Sequence, residues 1–124
     1  MNGIININKP LGITSHDVVG RLRRILGIKK IGHTGTLDPD ASGVLPMCIG
    51  RATKTADMLT AQDKQYIAEV TLGSATTTLD ASGEVTETAN VNVTEEDILD
   101  AVLGFIGDVV QIPPMFSAIK VDGN

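Results

Sequence analysis

The sequence contains few of the residues on which several common kinds of functional site depend. Its 124 residues include one cysteine, two histidines, one tyrosine, two phenylalanines and no tryptophan. A single cysteine excludes an internal disulfide and the zinc sites built on cysteine pairs, and two histidines exclude a histidine-rich metal site. Cys48 lies in the apolar run V-L-P-M-C-I. We interpret it as a small core residue in a protein of the reducing cytoplasm.

Long apolar segments and common catalytic motifs are also missing. No window approaches the roughly 20 apolar residues that a membrane-spanning helix needs, so we expect no membrane partner. The first eight residues lack the charged and apolar regions of a signal peptide. The glycines do not form a G-x-x-x-x-G-K-[ST] phosphate loop, and no G-x-S-x-G motif is present.

Charge is distributed unevenly, although the formal net charge is only −5. Residues 1–64 carry nine Lys/Arg and five Asp, a net charge of +4, whereas residues 65–124 carry one Lys and ten Asp/Glu, a net charge of −9. A basic half can attract phosphate while an acidic half faces water. The asymmetry is compatible with binding to nucleic acid, but solvated basic surfaces are also common.

The hydrophobic pattern predicts an α+β fold with a mixed, mainly antiparallel sheet and flanking helices. Short apolar or alternating runs predict strands over 3–8, 44–49, 66–72, 109–112 and 117–121. The sequence D-A-S-G at 80–83 is typical of a hairpin tip. No regular βαβ repeat is present, which argues against a doubly wound sheet.

Three helices are predicted from caps and periodicity. Thr14-x-x-Asp17 has capping-box spacing before a helix that ends at Gly27, with an apolar stripe formed by Val18, Val19, Leu22, Ile25 and Leu26. A short helix is predicted over 52–61. A third helix would begin at Thr94 and end at Gly107, with its inward face formed by Ile98, Leu99, Val102, Leu103 and Ile106.

Residues 29–43 are rich in Gly, Thr, Asp and Pro, and we predict a structured loop of about fifteen residues. Loops of this length in compact domains are often functional. Gly32 and Gly35 flank His33 and Thr34, and glycine allows a ligand to approach the backbone closely.

Asp38 is the most prominent candidate in this loop. Pro39 fixes its own φ and restricts Asp38 to extended conformations, so the loop holds a carboxylate rigidly just before an apolar strand. Two interpretations remain open from composition alone. Asp38 is a catalytic carboxylate, or Asp38 and Asp40 are turn residues that bond to their own backbone.

Six segments, in order along the chain, resemble the TruB family of tRNA pseudouridine synthases. They are K-P-x-G-x-T-S from Lys9, G-H-T-G-T-L-D-P from Gly32, G-V-L-P from Gly43, G-R-A-T-K from Gly50, D-K-Q-Y from Asp63 and Q-x-P-P-M-F-S-A-x-K from Gln111. The segment from Leu37 to Leu45 is also similar to a looser core motif shared by related pseudouridine synthases. The first part of the loop and the Pro-Pro segment favour TruB.

The resemblance implies part of the pseudouridine synthase catalytic fold. Residues 1–124 would be the N-terminal part of the catalytic domain. The rest of that domain, including an arginine that partners the catalytic aspartate, and a PUA domain would lie beyond Asn124. The fragment alone is therefore expected to be inactive. The stand-alone bacterial type is favoured over the guide-RNA-dependent dyskerin relatives, because no long basic extension precedes Gly3.

The resemblance also implies a reaction, the isomerisation of one uridine in the T-arm loop of tRNA to pseudouridine. The base is flipped out of its stack, the N-glycosidic bond breaks, the uracil rotates, and a C–C bond forms. No cofactor and no metal are expected, because nothing is oxidised and no energy is supplied. The expected partner is the T-arm stem-loop of tRNA, and no protein partner is implied.

Roles for individual residues follow from the same resemblance. Asp38 would be the catalytic carboxylate, Tyr66 would stack on the flipped base, and His33 would fill the space that the base leaves. Other residues would hold phosphate (Arg51, Lys54, Lys64) or support the site structurally (Lys9, Pro10, Gly32, Gly35). The plainer interpretations are that Tyr66 is a core residue of a strand and that the cations are solvated charges.

The sequence also departs from the family pattern. Thr76-Thr77-Thr78 stands where the family usually has T-D-T, and Asp40 and Ser42 replace an apolar residue and a threonine. Two alternative functions remain. One is a catalytically incomplete fragment that binds RNA, and the other, more remote, is a metal-dependent hydrolase that uses His33, Asp38 and Asp40.

Overall fold

In the computed structural model, which describes residues 1–111, a three-stranded antiparallel sheet organises the first 66 residues. Its strands are β1 (Gly3–Lys9), β2 (Ile31–His33) and β3 (Gly43–Ile49), in the order β1-β3-β2. The strands β1 and β3 confirm the predictions for 3–8 and 44–49. The strand β2 lies inside the segment predicted as a loop, which is therefore shorter than expected.

Helix α1 (Ser15–Leu26) packs its apolar stripe against this sheet. The predicted capping box is present. The Thr14 hydroxyl accepts a hydrogen bond from the Asp17 N–H at 3.0 Å, and the Asp17 carboxylate accepts one from the Thr14 N–H at 2.8 Å. Gly27, with φ of 66°, ends the helix. Ile25 is 75% exposed, so its predicted inward position is wrong, whereas Leu26 in the same turn packs against the core.

The core of this first unit combines one helix face with strand residues. Its buried apolar members are Val18, Val19, Leu22, Ile31, Leu45, Met47 and Ile49. Cys48 in β3 is also fully buried, in agreement with its interpretation as a core residue. After β3 the chain forms a 3₁₀ helix, Gly50–Thr55, and the short helix α2, Ala56–Thr60. The helix predicted over 52–61 is present, but its first half has 3₁₀ geometry.

A second unit begins at Ile67 and contains a hairpin and a helix. The strands β4 (Ser74–Thr76) and β5 (Val85–Thr88) are antiparallel, and the predicted tip at 80–83 lies between them. Helix α3 (Glu95–Leu103) has a capping box in which Thr94 and Asp97 bond to each other's backbone N–H. The helix ends at Gly104 rather than at the predicted Gly107.

Three predictions for the second half of the chain are wrong in the part that the structure describes. Residues 66–72 form no strand, and no strand begins at 109–111. The face of α3 predicted to point inward is exposed, with Ile98 at 44% and Val102 at 59%. Alternation favours an extended backbone, but a strand also needs a hydrogen-bonding neighbour, and 66–72 has none among residues 1–111. Residue 112 and the strand predicted over 117–121 lie outside the described residues.

The two units together have helices and antiparallel sheets without a parallel crossover in the described region, which confirms the α+β class. No helix within residues 1–111 is long and apolar enough to cross a membrane.

Candidate active site

All the candidate residues identified from the sequence lie in the first unit. The site begins where β1 ends, at Lys9, whose side chain is fully buried. Its ammonium donates to the carbonyl oxygens of Pro10 at 3.0 Å and Ile13 at 2.8 Å. A buried ammonium group requires such acceptors, because removal from water is otherwise very costly. Lys9 therefore stabilises the turn that leads from β1 into α1. Pro10 provides one of the two carbonyl oxygens that accept from the Lys9 ammonium.

The residues on both sides of Asp38 are tied to this same corner. The Leu37 N–H donates to the Ser15 hydroxyl oxygen at 2.9 Å, and that hydroxyl donates to the Leu37 carbonyl at 3.0 Å. On the other side, the Gly12 N–H donates to the Pro39 carbonyl at 2.8 Å. The backbone of Asp38 is thus held between two anchored neighbours, next to the start of α1.

Asp38 is exposed, and its main-chain carbonyl rather than its carboxylate forms the hydrogen bond of the turn. The Asp38 carbonyl accepts a hydrogen bond from the Ala41 N–H at 3.0 Å. Asp80 shows the alternative arrangement, in which the carboxylate itself bonds to groups of the turn. Its carboxylate accepts hydrogen bonds from both the hydroxyl and the N–H of Ser82 and from the Thr78 hydroxyl, and these lower its pKa to about 2. Asp80 is a structural turn residue, whereas the charge of Asp38 faces solvent.

His33 ends β2 and pairs with Met47 of β3. Its Nδ1 atom is buried and has no hydrogen-bond partner among the described residues. The next residue, Thr34, is buried and donates its N–H to the Pro46 carbonyl at 3.1 Å. An unpaired buried polar atom costs ~1–3 kcal/mol, so a bound polar group that reaches Nδ1 would remove this penalty.

Gly32 in β2 and Gly35 in the loop after it are not required by close packing within the described structure. A Cβ atom at Gly32 would meet only the Thr53 methyl group, at the ordinary contact distance of 3.9 Å. At Gly35, no heavy atom lies within 4 Å of the Cβ position. The open space beside Gly35 is compatible with the close ligand approach predicted from sequence.

The predicted phosphate-binding cations lie on and after the 3₁₀ helix. Arg51 and Lys54 are exposed, and the main-chain N–H of Arg51 donates to the Asn2 side chain at 2.7 Å, which fixes the start of this helix. The Lys64 ammonium donates to the carbonyls of Thr60 and Gln62 near the end of α2. Lys64 would therefore have to exchange these carbonyls for a phosphate.

Tyr66 is 65% exposed and lies in a segment without regular structure. Its alternative interpretation as a core residue of a strand is therefore wrong. Its ring is accessible to a ligand. Within residues 1–111, no three His, Cys, Asp or Glu side chains are grouped closely enough to hold a metal ion. His33, Asp38 and Asp40 accordingly form no such group, and no observation favours the hydrolase alternative.

Comparison with known proteins identifies the family. Residues 23–124 match the profile described as TruB family pseudouridylate synthase (N terminal domain). The chain belongs to the TruB family. It is 56% identical over 126 residues to tRNA pseudouridine synthase B of Bacillus anthracis, and 56% identical over 125 residues to that of Clostridioides difficile (strain 630). All of this chain is covered in both cases, but only 41% and 42% of the two relatives.

A solved structure gives the same assignment for the fold. A chain in the crystal structure of a Cbf5-Nop10-Gar1 complex is similar with a TM-score of 0.64 and 32% sequence identity. The similarity covers 95% of this TruB family chain and 31% of that chain. The family and the α+β class predicted from sequence are therefore confirmed.

Sequence reasoning missed two residues that hold the Asp38 segment, Ser15 and Gly12. Both belong to the K-P-x-G-x-T-S segment that begins at Lys9. One signal lies in the sequence itself. Thr14 with Asp17 already completes the capping box, which leaves the hydroxyl of the adjacent Ser15 free for another partner.

Proposed function

We propose that this chain is the N-terminal part of the catalytic domain of an enzyme that converts a uridine in the T-arm loop of tRNA to pseudouridine. The observation that carries the proposal is the geometry at Asp38. Its carboxylate is exposed while the residues on either side are hydrogen-bonded to the corner between β1 and α1. Membership of the TruB family supplies the reaction class.

The chemistry of an isomerisation agrees with the groups at this site. The N-glycosidic bond between C1′ and N1 breaks, the uracil turns within the site, and a C–C bond forms between the same C1′ and C5 of the base. C5 then loses its proton and N1 takes one up, so the product is an isomer of the substrate. The Asp38 side chain can act as nucleophile or base, and it needs no cofactor for either role.

Base flipping is the second component of the proposal. A uridine inside a stacked loop cannot reach a carboxylate unless it leaves the stack. The exposed ring of Tyr66 would stack on the flipped base, and His33 would enter the space that the base leaves.

Contact with the RNA backbone is assigned to the first unit, because nine of the ten Lys/Arg lie in residues 1–64. Arg51 and Lys54 are exposed on the 3₁₀ helix, and Lys64 lies just after α2. Phosphate contacts position RNA without reading its sequence. The proposed partner is the T-arm stem-loop of tRNA, and the proposed location is the cytoplasm.

A second candidate function is RNA binding without turnover by this chain alone. The observation that favours it is length, because the chain spans 41% of the Bacillus anthracis relative. We propose that the rest of the catalytic domain and a PUA domain follow in the complete protein. The two candidates make opposite predictions about turnover by the 124-residue chain.

A chimera tests the proposed function. This chain would replace the matching N-terminal segment of the Bacillus anthracis relative, and the chimera would be assayed for tritium release from T-arm RNA labelled at uracil C5. We expect site-specific pseudouridine formation. Absence of product from a folded chimera that still binds the RNA would contradict the proposal, with the unaltered relative as the positive control.

A further inference from the structure

The segment that carries Asp38 is hydrogen-bonded to the first residue of α1. One side chain, Ser15, bonds to both the N–H and the carbonyl of Leu37, although the two residues are 22 positions apart. Ser15 is only 3% exposed. The two hydrogen bonds therefore join the first residue of α1 to the residue before Asp38, in a place sheltered from competing water.

We propose that Ser15 is a positioning residue for Asp38 and that it acts together with the main-chain N–H of Gly12. This inference rests on the proposed function of Asp38. Ser15 fixes the peptide before the carboxylate through Leu37, and Gly12 fixes the peptide after it through Pro39. Neither residue touches the reacting atoms.

The position of Asp38 depends on its backbone because its side chain is exposed to solvent. Pro39 already limits Asp38 to extended conformations. With Leu37 and Pro39 both hydrogen-bonded, the main freedom left to the carboxylate is rotation about its own side-chain bonds. Catalytic groups must be held to within a fraction of an ångström, and a displacement of about 1 Å can cost about 100-fold in rate.

Ser15 is available for this role because the neighbouring Thr14 already accepts a hydrogen bond from a free N–H group at the start of α1. Thr14 supplies the capping hydroxyl and Asp17 completes the box. Gly12 contributes through its backbone conformation, with φ of 80°, in the left-handed region that favours glycine. The corner between β1 and α1 thus provides one side-chain and one main-chain contact to the loop.

The test uses the chimera with Ser15→Ala, and Thr14→Ala as the matched control. Both substitutions remove a hydroxyl from the same helix start, but only Ser15 contacts the Asp38 segment. We expect Ser15→Ala to lower kcat about 10- to 100-fold with KM for T-arm RNA changed less than about threefold. Thr14→Ala should lower Tm while kcat stays within about threefold of the unaltered chimera.

Hydrogen exchange at the Leu37 amide, measured by mass spectrometry, provides a second readout that does not need activity. Ser15→Ala should accelerate exchange at Leu37 and Thr14→Ala should not. If the unaltered chimera is inactive, the proposed function fails, while exchange at Leu37 still decides whether Ser15 holds the loop.

The positioning role is overturned if the two variants lose kcat equally at temperatures well below Tm, or if exchange at Leu37 is unchanged by Ser15→Ala. If Ser15→Ala does not fold, Ser15→Cys replaces it, because a thiol has similar size but donates and accepts weakly. Ser15→Cys should then show an intermediate loss of kcat, and a kcat equal to that of the unaltered chimera would contradict the proposal.

Discussion

At the scale of single residues, two aspartates in turns have opposite surroundings. Three donor groups bond to the carboxylate of Asp80, whereas the carboxylate of Asp38 faces solvent and its backbone makes the turn. A carboxylate bonded to its own turn stabilises the fold, and one that is left exposed on a fixed backbone can react with a ligand. This contrast supports the chemical role proposed for Asp38.

Asp38→Asn in the chimera should reduce turnover by more than 1000-fold and leave T-arm RNA binding nearly unchanged, because the amide keeps the shape but loses the charge. The measurement is tritium release together with filter binding. Asp40→Asn is the matched control, since it removes a neighbouring exposed carboxylate. Turnover of Asp38→Asn within tenfold of the unaltered chimera would remove Asp38 from the mechanism.

Tyr66 provides a second test at this scale, because its ring is 65% exposed rather than packed in a core. Stacking of a base on an aromatic ring contributes roughly 1–3 kcal/mol, so Tyr66→Leu should lower activity about 5- to 150-fold. Tyr66→Phe keeps the ring and should stay within about fivefold. The stacking role would be rejected if the leucine variant were as active as the phenylalanine variant.

At the scale of elements, the hairpin formed by β4 and β5 depends on Asp80 at its tip. Hydrogen bonds from Ser82, then from Thr78, lower the Asp80 pKa from 3.8 to about 2 in the folded state. Because the folded pKa lies below the unfolded value, the stabilisation is complete above about pH 4–5. It is lost as the pH falls from about 4 through the folded pKa of about 2.

The titration of Asp80 can be followed by NMR of its carboxyl carbon. We expect a midpoint of about 2 in the unaltered chain. Ser82→Ala should raise that midpoint towards 3.8, because the Ser82 side chain is the largest cause of the shift. A midpoint near 3.8 in both proteins would show that the Asp80 hydrogen bonds do not form in solution.

At the scale of the whole molecule, charge separates along the chain near the boundary of the two units, with +4 in residues 1–64 and −9 in residues 65–124. Phosphate contacts release counterions, so binding weakens steeply as salt increases. The 124-residue chain should bind a T-arm stem-loop weakly, with affinity falling at least tenfold between about 50 and 200 mM salt. Tight binding that is insensitive to salt would indicate base-specific contacts instead.

The chain by itself should also show no turnover, although Asp38 is present. The resemblance implies that an arginine beyond Asn124 partners this carboxylate, and the only Lys or Arg after Lys64 is Lys120. Without the rest of the domain the exposed carboxylate remains in water, where neighbouring charges act weakly. A tritium-release assay compares the chain with the chimera. Activity near that of the chimera would refute the predicted need for later residues.

The sequence by itself determined the local structure of the first unit and the family. Capping boxes, the apolar stripe of α1 and the strand before Gly50 depend on neighbours within a few residues, so their residue types define them. The G-H-T-G-T-L-D-P segment was informative for the same reason, because its residues are consecutive. The strand predicted over 66–72 was wrong because strand formation depends on a partner that alternation alone does not specify.

Only the tertiary structure decided which residues are hydrogen-bonded to the segment that carries Asp38. The hydrogen bonds from Ser15 to Leu37 and from Gly12 to Pro39 join residues more than twenty positions apart. The burial of Lys9, the unpaired Nδ1 of His33 and the exposure of Tyr66 are also results of packing. Such contacts depend on how the start of α1 and the loop before β3 pack together. Residues that are close in sequence do not specify this packing, because the two segments are more than twenty positions apart.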